Sequence, residues 1–181
     1  MVARRKGKDI KINTICIESK RPLSFETRVY EGTLKMKQLD REAGTNDTDF
    51  IEVPVRVRYA DTDRMGVVYY GTYPIYFEIG RSEFMRKRGF TYREFEDMGY
   101  YLVVVGMEVQ YYSSATYDDL LIVKTKISEL KSRGLTFHYE IYKEGNLVVE
   151  GKTKHICINS SKKTAIIPSQ LLKVLRDVSP K

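Results

Sequence analysis

The sequence is short of the residues that bind metals and form nucleophile–base pairs. It holds two histidines and two cysteines in 181 residues. Cys16 and Cys157 lie far apart and match no metal-ligand spacing, and no Cys/His/Asp cluster has the spacing of a zinc site. No metal is therefore expected. No Ser/His/Asp or Cys/His set can be assembled either. His138 falls on the polar face of a strand and reads as a surface residue. His155 shares a face with apolar neighbours, the pattern of a packed, hydrogen-bonded histidine rather than of a catalyst. The glycines build no phosphate loop and no dinucleotide fingerprint. No run approaches the roughly 18 apolar residues of a membrane span, so no stable membrane insertion is expected. No secretory apolar region stands at the N-terminus, which reads the cysteines as reduced thiols in a cytoplasmic protein. Arg4, Arg5, Lys6 and Lys8 would suit a mitochondrial presequence, but Asp9 and Glu18 count against one.

Charge and hydrophobic content are present in quantity. At 42% hydrophobic and 30% charged residues, the chain suits one domain with an appended segment. Thirty-one basic residues against 24 acidic give a formal charge of +7. That suits a polyanionic partner, whether nucleic acid, an acidic membrane surface or a phosphate-rich ligand. Fourteen tyrosines interleaved with basic residues would also suit a single-strand nucleic-acid binder. The tyrosines fall mainly at core-facing positions or in one motif, however, and no nucleic acid is expected.

Residues 1–50 read as an N-terminal extension. Ile10 to Ile17 and Phe25 to Tyr30 have the look of short strands, but charges interrupt both. Asp40 to Asp49 is a polar, turn-rich linker, and Met36 is an alternative start. The domain proper is expected over 51–181. It opens on an alternating strand, with Val53, Val55, Val57 and Tyr59 on one face and Arg56 and Arg58 on the other. A loop carrying Asp61, Asp63 and Gly66 follows. A long helix is expected over about Tyr70 to Arg88, with Pro74 tolerated in its first turn. Tyr73, Phe77, Gly80 and Phe84 make its apolar stripe, and Gly80 there would let a sheet approach closely. Gly89 ends it, and Thr91 caps a short turn.

The remainder alternates as strands. Tyr101, Val103, Val105, Met107, Val109 and Tyr111 form one face of the first of them. Leu121 to Ile127, Leu135 to Ile141 and Leu147 to Cys157 form the others, and Pro168 opens a last helix through Leu171, Leu172 and Leu175. The order predicts an α+β domain in which an antiparallel sheet wraps one long helix, with a C-terminal helix.

Carboxylate, glycine and helix start in succession place an anion beside free backbone donors and a positive dipole end. Such a loop can polarise a carbonyl and attack it or deliver water to it. Equally, Asp61 and Asp63 can simply make a turn and favour the helix start. The string Tyr59-Ala60-Asp61-Thr62-Asp63, then Gly66-Val67-Val68-Tyr69-Tyr70 and Tyr73, resembles the signature of the hotdog-fold acyl-CoA thioesterases of the 4-hydroxybenzoyl-CoA thioesterase and YbgC type. The likeness continues through Phe77-Glu78, Arg81 and Ala115-Thr116-Tyr117-Asp118-Asp119, and covers about residues 51–176.

The resemblance implies an acyl-CoA thioesterase that splits an acyl or aroyl thioester without metal or redox cofactor. Asp63 matches the catalytic aspartate, as nucleophile or general base. Tyr70 stands where a backbone N–H polarises the thioester carbonyl, with Gly66 and Val68 contacting substrate. Asp61 is expected to brace the loop. Glu78 is the reserve catalyst, because a helix glutamate does the chemistry in another hotdog branch, and it could also pair with Arg81. Lys131-Ser132-Arg133 resembles the basic stretch that holds coenzyme A phosphates, although an ordinary solvated turn reads as well. Tyrosine at position 70, where many YbgC-type members have histidine, brings the loop nearer the hydroxybenzoyl type. A sheet with an open edge also calls for a partner, and the resemblance implies a homodimer or homotetramer. A non-catalytic hotdog protein that binds acyl groups is the alternative reading.

Overall fold

The computed structural model describes residues 50–176; the expected extension, with Cys16, lies outside them. Five strands form one antiparallel sheet: β1 (Ile51–Arg56), β2 (Tyr100–Tyr111), β3 (Leu120–Lys131), β4 (Gly134–Lys143) and β5 (Asn146–Asn159). Their spatial order is β1-β3-β4-β5-β2. Helix α1 (Tyr73–Lys87) lies on one face of the sheet. The short α2 (Tyr92–Asp97) leads into β2, and α3 (Ser169–Arg176) is the last element among the described residues. The expected α+β architecture is present. Among the described residues no helix is long and apolar enough to cross a membrane.

Alternation dictates the packing. Leu121, Val123 and Thr125 of β3, Leu135, Phe137, Tyr139 and Ile141 of β4, and Val149, Thr153, His155 and Cys157 of β5 all point inward and are buried. They meet the expected stripe of α1, whose Tyr73, Phe77 and Phe84 are buried. Phe77 stacks on Tyr139 with ring centroids 4.4 Å apart. The helix begins three residues later than the sequence suggests: Tyr70–Thr72 form a 3-10 turn, and the α-helix starts at Tyr73 with Pro74 in its first turn. Thr91 and Glu94 cap α2 reciprocally, which satisfies two N–H groups that a helix start leaves unpaired.

Gly80 is where the sheet comes closest to α1. A Cβ there would overlap Thr125 Oγ1 and stand 2.9 Å from Val123 Cγ1. Overpacking costs about 1–3 kcal/mol, and alanine returns about 1 kcal/mol of helix propensity. Gly80→Ala is thus expected to lose up to about 2 kcal/mol, a fall of roughly 4–8 °C in melting temperature for a domain of this size. Thr125→Ala in the same background should recover most of it. A Gly80→Ala protein that melts at the wild-type temperature would mean that the contact is not tight.

Two strand expectations need correction. Tyr59 does not extend the inward face of β1. The strand ends at Arg56, and Tyr59 opens a 3-10 turn, exposed and edge-on to Tyr117 at 5.8 Å. In β2 the inward face changes phase. Leu102 pairs with Cys157 and Val104 with His155, whereas Met107 pairs with Thr153 and Val109 with Gly151. A bulge between Val104 and Gly106 takes up Val105, because an inserted residue moves every later side chain to the other face. Strict alternation from Tyr101 through Val105 therefore assigns the first half of the strand to the wrong side.

Candidate active site

The loop between β1 and α1 is built around Asp61. Its carboxylate is 2% exposed and accepts hydrogen bonds from the Arg58 backbone N–H (2.9 Å), from Arg58 Nη2 (2.7 Å) and from the Tyr76 hydroxyl (3.0 Å). Its own carbonyl accepts the Tyr69 N–H at 2.9 Å. The Arg58 hydrogen bonds hold this carboxyl below its usual range, against the opposing effect of burial. Asp61 is therefore a brace. It ties the chain just past β1 to the first turn of α1 and so fixes the arc between them.

A carboxylate with a depressed pKa stabilises the fold above its unfolded value near 3.9, and that contribution disappears as pH falls through the folded value. Asp61→Asn is expected to cost about 1–3 kcal/mol at neutral pH, the price of a buried polar partner left unmatched. The variant should also lack the part of the wild type's acid destabilisation that falls below about pH 4. Equal stability of the two proteins at pH 7 in urea would contradict the bracing role.

Asp63 stands on the other side of this frame. Its side-chain Oδ1 accepts the Met65 N–H at 2.8 Å, its carbonyl accepts the Gly66 N–H at 3.0 Å, and its N–H donates to the Val67 carbonyl at 2.9 Å. Gly66 closes this turn with φ of +77°, a left-handed conformation that a β-carbon penalises. Val68 is buried, and its N–H donates to the Ala115 carbonyl at 2.8 Å. Val67 bridges Thr116. The Asp119 carboxylate accepts the Thr116 N–H at 2.6 Å and pairs with Lys143 at 2.7 Å, which holds the Ala115–Thr116 segment against the loop.

Tyr70 opens the 3-10 turn that runs into α1. Among the described residues no loop or turn carbonyl takes up its N–H. Its carbonyl accepts the Tyr111 hydroxyl at 3.1 Å, which docks the turn onto the end of β2. Beside it lies an open pocket of about 270 Å³, lined by Val68, Tyr70, Tyr73, Tyr111, Ser113 and Ser114 among others. Burial pushes the Tyr73 phenol up to about 12, so this wall stays uncharged at neutral pH. The opening has aromatic walls, Tyr70 among them, and the half-buried Asp63 carboxylate stands seven residues earlier on the same loop, outside that lining.

The other expected site residues stand elsewhere. Glu78 is on the exposed side of α1 and meets Arg81 Nη2 at 3.4 Å; none of the described hydrogen bonds joins it to the Asp63 loop. Lys131 and Arg133 flank the β3–β4 turn and, with Lys154, line a pocket of about 330 Å³. Lys131 also pairs with Glu129 at 2.7 Å. β3 is 12 residues long and begins beside the Asp63 loop. The turn at its far end is thus roughly 36 Å away within one chain, at about 3.3 Å per residue. His155 is buried and bonded to Thr153 Oγ1 at 2.8 Å. Burial, and then the Arg81 charge, lower its pKa to about 4. It is the packed, hydrogen-bonded histidine expected. Among the described residues, no group of three or more His, Cys, Asp or Glu side chains could hold a metal ion.

Sequence reasoning missed Arg58, Tyr76 and Tyr111. Arg58 lies three residues from Asp61, a spacing that could have been read as a pair. Tyr76 and Tyr111 reach the loop through the tertiary fold, and nothing local marks them.

The model of the thioesterase-like superfamily matches residues 57–175. The acyl-CoA thioester hydrolase YbgC of Escherichia coli O157:H7 is 32% identical over 128 residues, 70% of this chain and 96% of that protein. The crystal structure of DHNA-CoA thioesterase from Staphylococcus aureus superposes with a TM-score of 0.69 at 30% identity, covering 71% of this chain and 90% of that one. A 4-hydroxybenzoyl-CoA thioesterase bound to 4-hydroxybenzoyl-CoA shares the fold at a TM-score of 0.65 and 17% identity, over 70% of this chain and 99% of that one.

Proposed function

The chain belongs to the thioesterase-like superfamily and is a thioester hydrolase, and we propose that its substrate is an acyl-CoA, cleaved at the Asp63 loop. The observation that carries this reading is the helix-start N–H of Tyr70, left without a loop or turn acceptor on the same segment that carries the Asp63 carboxylate. The N–H donates to the thioester carbonyl oxygen and stabilises the negative charge that develops on it. Asp63 either attacks the carbonyl carbon, giving an anhydride that water then opens, or removes a proton from the attacking water. In both routes the C–S bond breaks, the thiolate of coenzyme A takes up a proton, and the acyl group leaves as a carboxylic acid. Gly66 and Val68 shape the loop against the substrate, and the tyrosine-lined pocket receives the acyl group. Water is the only co-reactant.

Lys131 and Arg133 hold the phosphates of coenzyme A, for a site on a second protomer. β1 is six residues long and carries Pro54, so that edge of the sheet is blunted. β2 has 12 residues, and its Val104, Val105 and Met107 are about half exposed, an edge suited to pairing with another strand. The Tyr111 end of β2 touches Tyr70. Its Tyr100 end lies toward the basic turn, since Val103 and Gly134 both pair with Ile156. Antiparallel pairing of two β2 strands would swing the basic turn of one protomer toward the Asp63 loop of the other.

Release of free thiol from a panel of acyl- and aroyl-CoA substrates tests the reading, with turnover of at least one member expected. A folded dimer that turns over none would refute it. Within the panel, changing Lys131 and Arg133 together to glutamate should raise KM for the full substrate much more than KM for a short thioester lacking the nucleotide, because these charges bind groups remote from the carbonyl. Equal effects on the two substrates would remove the basic turn from the site.

A further inference from the structure

A third cavity, of about 210 Å³, lies between the C-terminal part of α1, the far half of β3 and α3. It is separate from the Asp63 loop: Ile127 is seven residues along β3 from Leu120, roughly 23 Å. Phe84, Ile127, Leu130 and Leu175 give it apolar walls. Arg88 enters it with its guanidinium over the Phe84 ring, 4.9 Å from the centroid. Arg88 Nη1 is shut off from solvent and has no hydrogen-bond partner among the described residues. Arg176 adds a second positive charge at the rim. Glu129, the acidic residue of the lining, is engaged by Lys131 at 2.7 Å and by the Thr136 hydroxyl at 3.5 Å. The cavity thus combines the cationic side chains of Arg88 and Arg176 with largely hydrocarbon walls.

We propose that this cavity binds a small amphipathic carboxylate, its head on Arg88 and its short apolar body against Phe84, Ile127, Leu130 and Leu175. A planar guanidinium fork matches a carboxylate, and the Arg88 Nη1 left without an acceptor favours one that reaches it. At about 30 Å³ for each water-sized group, the volume admits about seven non-hydrogen atoms, which is the size of pentanoate. The ligand is of the same chemical class as the acid a thioester hydrolase releases, but the site does not depend on that reaction.

The test is a methyl NMR titration of the full chain with pentanoate, using labelled Ile, Leu and Val. Saturable shifts are expected at Ile127, Leu130 and Leu175, with Val68 at the loop undisturbed. Pentan-1-ol should bind about tenfold more weakly or worse, since a hydrogen bond to a charged group contributes at least that factor. Arg88→Met should weaken pentanoate by a similar factor, whereas Asp63→Asn should leave its affinity unchanged. Shifts confined to Val68, or none that saturate, would overturn the site. So would equal affinity for the alcohol, a comparison that needs no variant and stands even if Arg88→Met does not fold.

Discussion

Replacing Val104 and Val105 together with glutamate is expected to convert the proposed dimer into a monomer and to lower turnover by about 100-fold or more. Both side chains are about half exposed on an edge strand, so the change removes no buried core contact within the chain. In the proposed dimer the added charges would crowd those of the partner's β2 across the pairing, where like charges close together are destabilising. The loss of turnover follows from distance. The basic turn lies at the end of β3 away from the Asp63 loop, so a lone protomer cannot use both on one substrate. Misplacing a substrate by about 1 Å can already cost about 100-fold. Sedimentation velocity and a turnover assay on the same sample check both parts. A monomer with wild-type turnover would show that each chain holds a complete site.

Asp63→Asn should lower kcat by about 100- to 10,000-fold if the carboxylate is a general base, and by more if it is the nucleophile. Asparagine keeps the shape of the side chain and its Oδ1, so the Met65 N–H keeps its acceptor and the turn through Gly66 should persist. The thioester is uncharged, and its ground-state binding does not require the negative charge. KM should therefore change little, which places the loss in an interaction made only in the transition state. Thermal stability should also stay near wild type, in contrast to Asp61→Asn, whose deficit appears in stability because Asp61 is buried among Arg58 and Tyr76. A fall in kcat accompanied by an equal fall in stability would mean that Asp63, too, is chiefly a structural residue.

Periodicity makes most of the sheet and the stripe of α1 legible in the sequence, because one buried face per element leaves a regular trace. The contact at Gly80 is legible for the same reason: a glycine within an apolar stripe needs a neighbour that approaches closely. The bulge at Val105 is not. Three successive valines fit either phase, and the choice is set by β5, some fifty residues further along the chain. The Asp61 and Asp63 spacing alone favours a simple turn and leaves a catalytic loop open. Resemblance to a known motif separates the roles assigned to the two aspartates, and burial then shows why Asp61 is the brace. The distance between Lys131 and the loop is hidden, since a sequence shows that the two are separated but not that β3 runs directly from one to the other.

The most direct measurement is kcat for Asp63→Asn and Glu78→Gln, assayed side by side on one acyl-CoA substrate. Glu78 is two-thirds exposed and its described partner is Arg81, whereas Asp63 shares its loop with the free Tyr70 N–H. Catalysis by the Asp63 loop predicts a loss of about 100-fold or more for Asp63→Asn and less than about tenfold for Glu78→Gln. An inactive Glu78→Gln beside an Asp63→Asn within about tenfold of wild type would move the chemistry to the helix and contradict it.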